Sequence, residues 1–436
     1  MGRRPMDTLL KARMSPSLAL LTLKRLAPAG HTVRIINENV SRIDWNWPAD
    51  LVGITVTVDV SGRAAEIAAR FRSKGVKVVA GGIHISSDPE SMAATGAFDA
   101  VCAGRAEASW VEILRDAQAG ALKPFYRDDF SVPAICPPDY SGAGAESLYT
   151  NVVCASRGCP MHCGFCYNSS DGAVPFLNRP VADVLNDIRE IGGRHILFID
   201  DNFIGNPRWT REFLRAAAPL GLKWGAAVSA NLLDMPDLMD LMAESGCQSL
   251  FIGFETLNQA ALDAVGKRQN NASRFAELAR ELHSRGIMVN ASVVFGLPGD
   301  DAGVFKRTLD WMIANKIETV TAHIMTPYPG TALHKQMLAE GKITDFDLSH
   351  YDTAHVVYEP ESMTANELRA GYLWFYKELY SFRNILRRFP VQKQQRKAYL
   401  CFNFFYRKFG WFAEAISRVI PPRALGKFAA WVSYRV

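Results

Sequence analysis

Three cysteines in the segment CASRGCPMHCGFCYNSS are spaced as C-x3-C-x2-C, at Cys159, Cys163 and Cys166. Thiolates are soft ligands, and this character suits zinc or an iron–sulfur cluster. A structural zinc site needs four ligands, and Cys154 or His162 could supply the fourth. A [4Fe–4S] cluster held by three cysteines leaves one iron without a protein ligand, where a substrate or cofactor can bind. The spacing predicts a metal centre and leaves zinc and iron both open.

The cysteine segment must be positioned by the elements around it, and these alternate along the chain. From residue 148 to 345, six strand candidates alternate with helical patterns, which predicts a partial or full barrel of parallel β/α units. The candidates are residues 148–155, 195–201, 223–230, 249–255, 288–296 and 319–327. Because barrel active sites lie on the loops after the strands, the cysteines that follow the first strand occupy such a place.

A second alternation precedes the barrel and predicts a doubly wound α/β domain over residues 1–125. Its apolar runs are residues 32–39, 51–58, 77–83 and 99–104. A strand should precede the first helix, so either residues 7–12 form it or it is absent. Residues 126–147 are rich in Pro, Gly and Ser and predict a linker. Residues 346–436 predict a helical C-terminal region.

Several motifs resemble the radical S-adenosylmethionine (SAM) superfamily, in the subgroup with an N-terminal cobalamin-binding-like domain. The cysteine spacing is one of them, with the aromatic Phe165 before the last cysteine. The other barrel motifs are FIDDNFIGN, GFET, FGLPGD and TPYPGT, each at a strand end. The N-terminal motifs are ADLVGITV, VVAGGIHIS and AVCAGRAEASW. The resemblance covers about residues 18–380.

The resemblance implies a radical mechanism with three cofactors. A [4Fe–4S] cluster on the three cysteines binds SAM at its open iron and, once reduced, cleaves it to a 5′-deoxyadenosyl radical that removes hydrogen from an unactivated carbon. An external one-electron reductant of the flavodoxin or ferredoxin type is the implied partner. Cofactors carry such chemistry, while the protein orients and shields them. Cobalamin is the third implied cofactor, although no D-x-H-x-x-G motif supplies an axial histidine.

The same resemblance assigns candidate cofactor contacts to the strand ends. We expect at least one of Asp200, Asp201 and Asn202 to contact SAM, against the alternative of a helix N-cap. Glu255 closes an apolar strand, where an unpaired carboxylate would be costly. The remaining candidate SAM contacts are Ser229, Asn231, Gly296, Pro298 and Gly299, and His84 is the candidate contact to cobalamin.

Charge is distributed unevenly along the 436 residues, whose formal net charge is +5. Residues 383–436 contain twelve Lys or Arg and one acidic residue, a net charge of +11, together with twelve aromatic residues. Basic residues with aromatic residues are typical of contact with an anionic membrane surface, and the alternative is a helical cap docked on the barrel. The body is acidic and has no nucleic-acid motif, so we expect no nucleic-acid partner.

We therefore predict a radical SAM enzyme that methylates an unactivated carbon on a lipid, pigment or other small molecule, with cobalamin. The alternative is radical SAM chemistry without methyl transfer, namely cyclisation, oxidation, carbon–carbon coupling or rearrangement. A zinc-stapled binding protein is the alternative from another class. No secretory signal and no apolar run of membrane-spanning length occur, so we expect a cytoplasmic protein with peripheral membrane contact.

Overall fold

The structure is a computed structural model that describes residues 15–38, 41–130, 136–142 and 151–408. Its strands are β1 (Leu51–Thr55), β2 (Lys77–Gly81), β3 (Ala100–Ala103), β4 (Phe125–Arg127), β5 (Val152–Val153), β6 (Ser156–Arg157), β7 (Leu177–Asn178), β8 (His195–Phe198), β9 (Lys223–Ser229), β10 (Cys247–Glu255), β11 (Met288–Phe295) and β12 (Thr319–Ile324). Its α-helices are α1 (Leu18–Leu26), α2 (Ser61–Arg72), α3 (Ile83–Ser87), α4 (Pro89–Ala94), α5 (Ala106–Gln118), α6 (Val181–Ile191), α7 (Pro207–Ala217), α8 (Pro236–Glu244), α9 (Gln259–Ala264), α10 (Phe275–Ser284), α11 (Val304–Ala314), α12 (Ala332–Ala339), α13 (Ala365–Leu379), α14 (Phe382–Arg387) and α15 (Arg396–Leu400). A π-helix, Cys401–Lys408, follows α15.

The first sheet is parallel throughout, with the strand order β1-β2-β3-β4. Helices cover both of its faces, because Phe71 of α2 and Met92 of α4 pack on one side and Ile113 of α5 packs on the other. The predicted α/β class with a helix-covered parallel sheet is confirmed. β4 carries the sheet to Arg127, whereas we expected the domain to end at residue 125.

The segment before β1 differs from the prediction. We expected a strand at residues 32–39, but the described residues 32–38 form none. In a doubly wound sheet such a strand pairs with the one that precedes the first helix. The only candidate for that strand, residues 7–12, lies outside the described residues.

The second sheet contains all six predicted barrel strands, in the order β5-β8-β9-β10-β11-β12, and every pair is parallel. In the described residues β5 and β12 form its two edges, so the barrel is partial. Outer helices bury their apolar faces against the sheet, as shown by Phe213 of α7, Leu238 of α8 and Leu278 of α10, each no more than 1% exposed. Consecutive parallel units therefore place all six strand ends on one side.

Two glycines of the barrel let the N-terminal domain approach closely. A Cβ atom at Gly172 would lie 1.7 Å from the Ser86 carbonyl oxygen, and one at Gly330 would lie 2.0 Å from that of Ser87. The carbonyls of α3, which follows β2, therefore face loops at the strand ends of the barrel. Arg157 adds an ion pair of 2.9 Å across the same interface, to Glu107 of α5.

The C-terminal region begins without helix and then caps the barrel. Residues 346–364 hold one 3-10 turn and no α-helix, and Ile343 bridges to Tyr358. Arg388 is fully buried and donates to the carbonyl oxygens of Ile317 (2.8 Å) and Glu318 (3.0 Å). Part of the predicted basic tail is therefore a docked cap, and residues 409–436 lie outside the described residues. No described helix has the length and apolar character needed to cross a membrane.

The glycine contact predicts a steric effect at the domain interface. Gly172→Ala should lower the free energy of unfolding by about 1–3 kcal/mol, because a methyl group has no room against a backbone carbonyl. Urea denaturation followed by far-UV circular dichroism measures the change. Gly62→Ala is the matched control, since its Cβ would meet nothing within 4 Å. Equal unfolding midpoints for the two variants would contradict the close approach.

Candidate functional site

The cysteine loop is anchored to the barrel on both sides of its middle glycine. The Gly164 amide donates to the Val265 carbonyl at 2.9 Å, and its own carbonyl accepts from Leu333 at 2.9 Å. The loop enters through Gly158, whose φ of +67° favours glycine and whose Cβ would lie 2.4 Å from the Val174 carbonyl. The chain therefore holds the loop by its backbone and leaves the thiols free for ligation.

All eight cysteines are free, and the three of the motif lie close enough to influence one another. Burial raises the pKa of Cys159, and it raises the pKa of Cys166 to about 11. Cys163 adds to both increases, because neighbouring thiolates repel each other. Thiols that resist ionisation alone are stabilised as thiolates by a positive metal centre. The donor set therefore fits an iron–sulfur cluster.

The zinc alternative needs a fourth ligand beside the three cysteines. Within the described ranges, no three Cys, His, Asp or Glu side chains lie close enough to hold one metal ion, and this includes the three cysteines of the motif. Cys154, a suggested fourth ligand, is buried and donates its thiol to the Ser156 carbonyl at 2.8 Å. Burial raises its pKa to about 12, as expected for a thiol that packs as a small apolar group.

Asp200 and Asp201 follow β8 and have different surroundings. Asp200 is buried and accepts from the Ala155 amide (3.1 Å) and the Ser156 hydroxyl (2.5 Å), so it fixes the turn that leads into the cysteine loop. Burial raises its pKa to about 6, although these hydrogen bonds oppose the rise. Asp201 is exposed to solvent, yet surrounding protein raises its pKa, and its charge raises the pKa of Cys159. Asp201 therefore lies near the thiols of the motif.

A chain of three polar side chains connects the ends of β8 and β9. Asn202 donates from Nδ2 to the Ser229 hydroxyl at 3.1 Å, and Ser229 donates to Asn231 Oδ1 at 2.5 Å. Asn202 is 3% exposed, and its Oδ1 has no partner among the described residues. A buried acceptor without a donor is costly, so this oxygen is available to a ligand N–H or O–H group.

Glu255 ends β10 in a strained conformation and is paired. Its φ is +63°, at a register shift that follows Gly253. The carboxylate forms a buried ion pair with Lys267 and accepts from the Ser292 hydroxyl at 3.4 Å. Lys267 lies 5.9 Å from the ring centre of Phe165, between the second and third cysteines of the motif. Glu255 and Lys267 therefore lie together beside the cysteine loop.

Lys267 belongs to a loop, residues 265–270, that the sequence analysis did not identify. Gln269 donates from Nε2 to the Cys163 sulfur at 3.6 Å. Asn270 donates to the carbonyl of Gly253 at 2.8 Å and so supports the distorted end of β10. The sequence contained one signal for Lys267: a buried carboxylate at Glu255 needs a cation as its partner. That signal does not identify which Lys or Arg is the partner.

The loop after β11 contains the predicted Gly296, Pro298 and Gly299. Gly296 and Gly299 have φ of +85° and +78°. The Cβ side of Gly296 is filled by protein, since a Cβ would lie 2.1 Å from the Tyr358 hydroxyl, which donates to the Gly296 carbonyl at 2.6 Å. Asp300 accepts from the Gly296 amide at 2.9 Å and closes the turn. At Gly296 the small residue serves packing under the C-terminal region.

His84 lies on α3, at the strand ends of the first sheet. It is 1% exposed, and neither ring nitrogen has a partner in the described part of the chain. Burial lowers its pKa, against the opposing charge of Asp88, and favours the neutral imidazole. Across the interface Tyr167 and Tyr328 stack with ring centres 4.5 Å apart. A neutral histidine without partners is therefore buried beside the domain interface.

Comparison with known proteins identifies the chemistry of this site. Residues 153–312 match the radical SAM superfamily, and the match contains all three cysteines and Glu255. Residues 153–312 therefore form a radical SAM domain. The cofactors of this superfamily are a [4Fe–4S] cluster and SAM, and the prediction that Cys159, Cys163 and Cys166 bind the cluster remains to be tested.

Matches to individual proteins extend the comparison beyond the radical SAM domain, to about three quarters of the chain. Bacteriochlorophyllide d C-12(1)-methyltransferase of Chlorobaculum tepidum is 29% identical over 354 residues, covering 78% of this chain and 76% of its own. Hopanoid C-2 methylase of Rhodopseudomonas palustris is 24% identical over 355 residues, covering 77% and 67%. The structure of the radical SAM methyltransferase TsrM from Kitasatospora setae, with cobalamin and a [4Fe-4S] cluster bound, superposes with a TM-score of 0.61 at 17% identity over 75% of each chain. The last comparison shows a shared fold.

The radical SAM domain predicts which cysteines are needed for the cluster. Replacing Cys159, Cys163 or Cys166 by alanine should abolish iron binding and the broad visible absorption of the anaerobically reconstituted protein. The expected loss is more than about 90% of the iron, since three thiolates are the whole protein ligand set. Cys154→Ala is the control, because that thiol bonds a backbone carbonyl. Full iron content in any of the three variants would exclude that cysteine as a ligand.

Proposed function

We propose that this radical SAM enzyme uses cobalamin to methylate an unactivated carbon of a pigment or lipid. The observation that carries the proposal is the extent of similarity to a named methyltransferase. That alignment of 354 residues is far longer than the radical SAM match, which spans residues 153–312. The similarity therefore extends beyond the SAM-cleaving domain that all radical SAM enzymes share.

Different residues of the barrel would hold different parts of SAM and the cluster. When bound, SAM and the cluster supply an organic radical, and cobalamin supplies the methyl group. Asp201 and the Asn202 Oδ1 offer acceptors to the amino group and ribose hydroxyls of SAM. Lys267 offers its positive charge to the carboxylate of SAM, while Glu255 remains its ion-pair partner within the protein. Asp200 fixes the turn before the cysteine loop through its hydrogen bonds with Ala155 and Ser156.

His84 is proposed to contact the corrinoid. Both of its ring nitrogens lack partners in the described residues, at the side of the first sheet where ligands of parallel α/β domains bind. A neutral imidazole has one nitrogen that can accept a hydrogen bond or coordinate cobalt and one that can donate. The barrel loops face the same edge, so a corrinoid held there would lie between the two domains. The closure of this interface would also exclude water from the radical.

The proposal predicts methyl transfer that depends on the corrinoid. Enzyme reconstituted with iron, sulfide and hydroxocobalamin, then desalted, should retain about one corrinoid. With methyl-deuterated SAM, a one-electron reductant of the flavodoxin or ferredoxin type and a bacteriochlorophyllide or hopanoid fraction, mass spectrometry should detect a product carrying the labelled methyl group. His84→Ala should reduce corrinoid retention by about tenfold, the loss expected for one buried contact.

His31→Ala is the control for this experiment, because His31 is exposed. Full corrinoid retention by His84→Ala would contradict the proposed contact. Formation of 5′-deoxyadenosine without labelled product in any fraction, and without corrinoid retention by the wild type, would instead favour the non-methylating radical chemistry.

We also propose that the C-terminal cap contacts an anionic membrane surface, where a lipid or pigment would reside. The cap exposes large apolar side chains on α13, α14 and the segment after them, here named the cap face: Leu373, Trp374, Phe382, Leu386 and Val391. Arg383 and Arg387 are exposed on α14 between them. Each such cation contributes about 1 kcal/mol near an anionic leaflet.

Vesicle sedimentation tests the cap face. Phe382→Glu combined with Leu386→Glu should abolish binding to vesicles containing phosphatidylserine, since it removes apolar insertion and adds two like charges. Leu338→Glu is the control, because Leu338 is 50% exposed on α12, away from the cap. Substitution is preferable to truncation at Pro390, because Tyr399 and Asn403 are buried in the cap. Binding that is unchanged in the double variant would exclude this surface.

A further inference from the structure

We propose that Gln269 sets the reduction potential of the iron–sulfur cluster by donating a hydrogen bond from its side-chain amide to the Cys163 sulfur. The donor nitrogen lies 3.6 Å from this sulfur, a normal length for an N–H···S contact. In the structure the sulfur is a thiol, and it represents the thiolate that would bind iron. The inference rests on the cluster of the proposed function and assigns a role to a residue outside the cysteine motif.

Gln269 is held at this place from both sides along its loop. Before it, the Val265 carbonyl accepts from the Gly164 amide in the centre of the cysteine loop. After it, the side-chain amide of Asn270 donates from Nδ2 to the carbonyls of Gly253 (2.8 Å) and Phe254 (3.2 Å) in β10. The loop is therefore attached both to the cysteine loop and to the sheet, and the donor is preorganised.

The direction of the effect follows from charge. When an external reductant transfers one electron to the cluster, negative charge increases on its sulfurs, and a hydrogen-bond donor stabilises that state. Hydrogen bonds to sulfur and local net charge are two of the factors that set cluster potentials. Lys267 also lies nearby, but Glu255 neutralises it within a buried pair. Among the described residues no acidic side chain pairs with the amide of Gln269, so the removal of this amide should lower the potential.

Anaerobic potentiometric titration with dithionite, followed by electron paramagnetic resonance of the reduced cluster, tests this role. At the potential where half of the wild-type cluster is reduced, the ratio of reduced to oxidised cluster in Gln269→Leu should be about threefold to tenfold lower. A tenfold change corresponds to about 59 mV for one electron. Gln269→Glu keeps the side-chain length and replaces the donor with a carboxylate, so its midpoint should fall further.

Gln248→Leu is the matched control, because Gln248 is exposed and its side-chain amide donates to the Gly246 carbonyl rather than to a cysteine. Wild-type midpoints in Gln269→Leu and Gln269→Glu, with full iron content, would overturn the inference and leave the proposed function intact. If Gln269→Leu loses iron, Gln269→Glu decides: a midpoint equal to or above that of the wild type would overturn the inference. A wild-type protein that binds no cluster would refute the proposed function itself.

Discussion

The buried ion pair between Glu255 and Lys267 holds three parts of the site together. Removing one partner of such a pair costs about 3–5 kcal/mol, because the remaining charge has no solvent. The pair joins the strained end of β10 to the loop that contacts the cysteine segment. A positive φ at a residue other than glycine costs about 1–3 kcal/mol, and it persists only where neighbouring contacts enforce it. Here the attraction of Lys267 and the hydrogen bonds of Asn270 enforce it.

A second constraint acts between the domains, where two strand-end edges face each other. Gly172 and Gly330 permit carbonyls of α3 to approach the barrel loops, and Arg157 pairs with Glu107 across the gap. A group bound on the first sheet would therefore face the cysteine side of the barrel directly. This arrangement suits two cofactors that must act on one substrate in turn, because neither has to cross a domain to reach it.

The sequence was sufficient for the elements whose signal is local. Six apolar runs with helical patterns between them predicted the six barrel strands, and the cysteine spacing, with the other motifs, indicated the superfamily that residues 153–312 match. Contacts that depend on tertiary structure were not predictable: Gln269 meets a sulfur 106 positions away, and nothing in its local pattern indicates it. For residues 32–38 the local pattern was β-rich, yet these residues form no strand, because tertiary context decides whether such a pattern joins a sheet.

Asp200 and Gly296 illustrate a further limit of motif reasoning. Both lie in motifs of the superfamily, and position alone suggested cofactor contacts for both. The carboxylate of Asp200 is occupied by the turn after β5, and the open side of Gly296 is filled by Tyr358. A motif identifies the loop that surrounds a cofactor, whereas the contacts of each side chain decide which residues touch it and which support the loop.

The hydrogen bond from Leu333 to Gly164 has a consequence for maturation in the cell. The cysteine loop is translated early, but this anchor comes from α12, which follows the last strand of the barrel. Arg388, in turn, supplies donors to carbonyls 70 and 71 positions before it. Contacts of such long sequence separation form late in folding. A nascent chain therefore exposes its three thiols before the anchor from α12 can form.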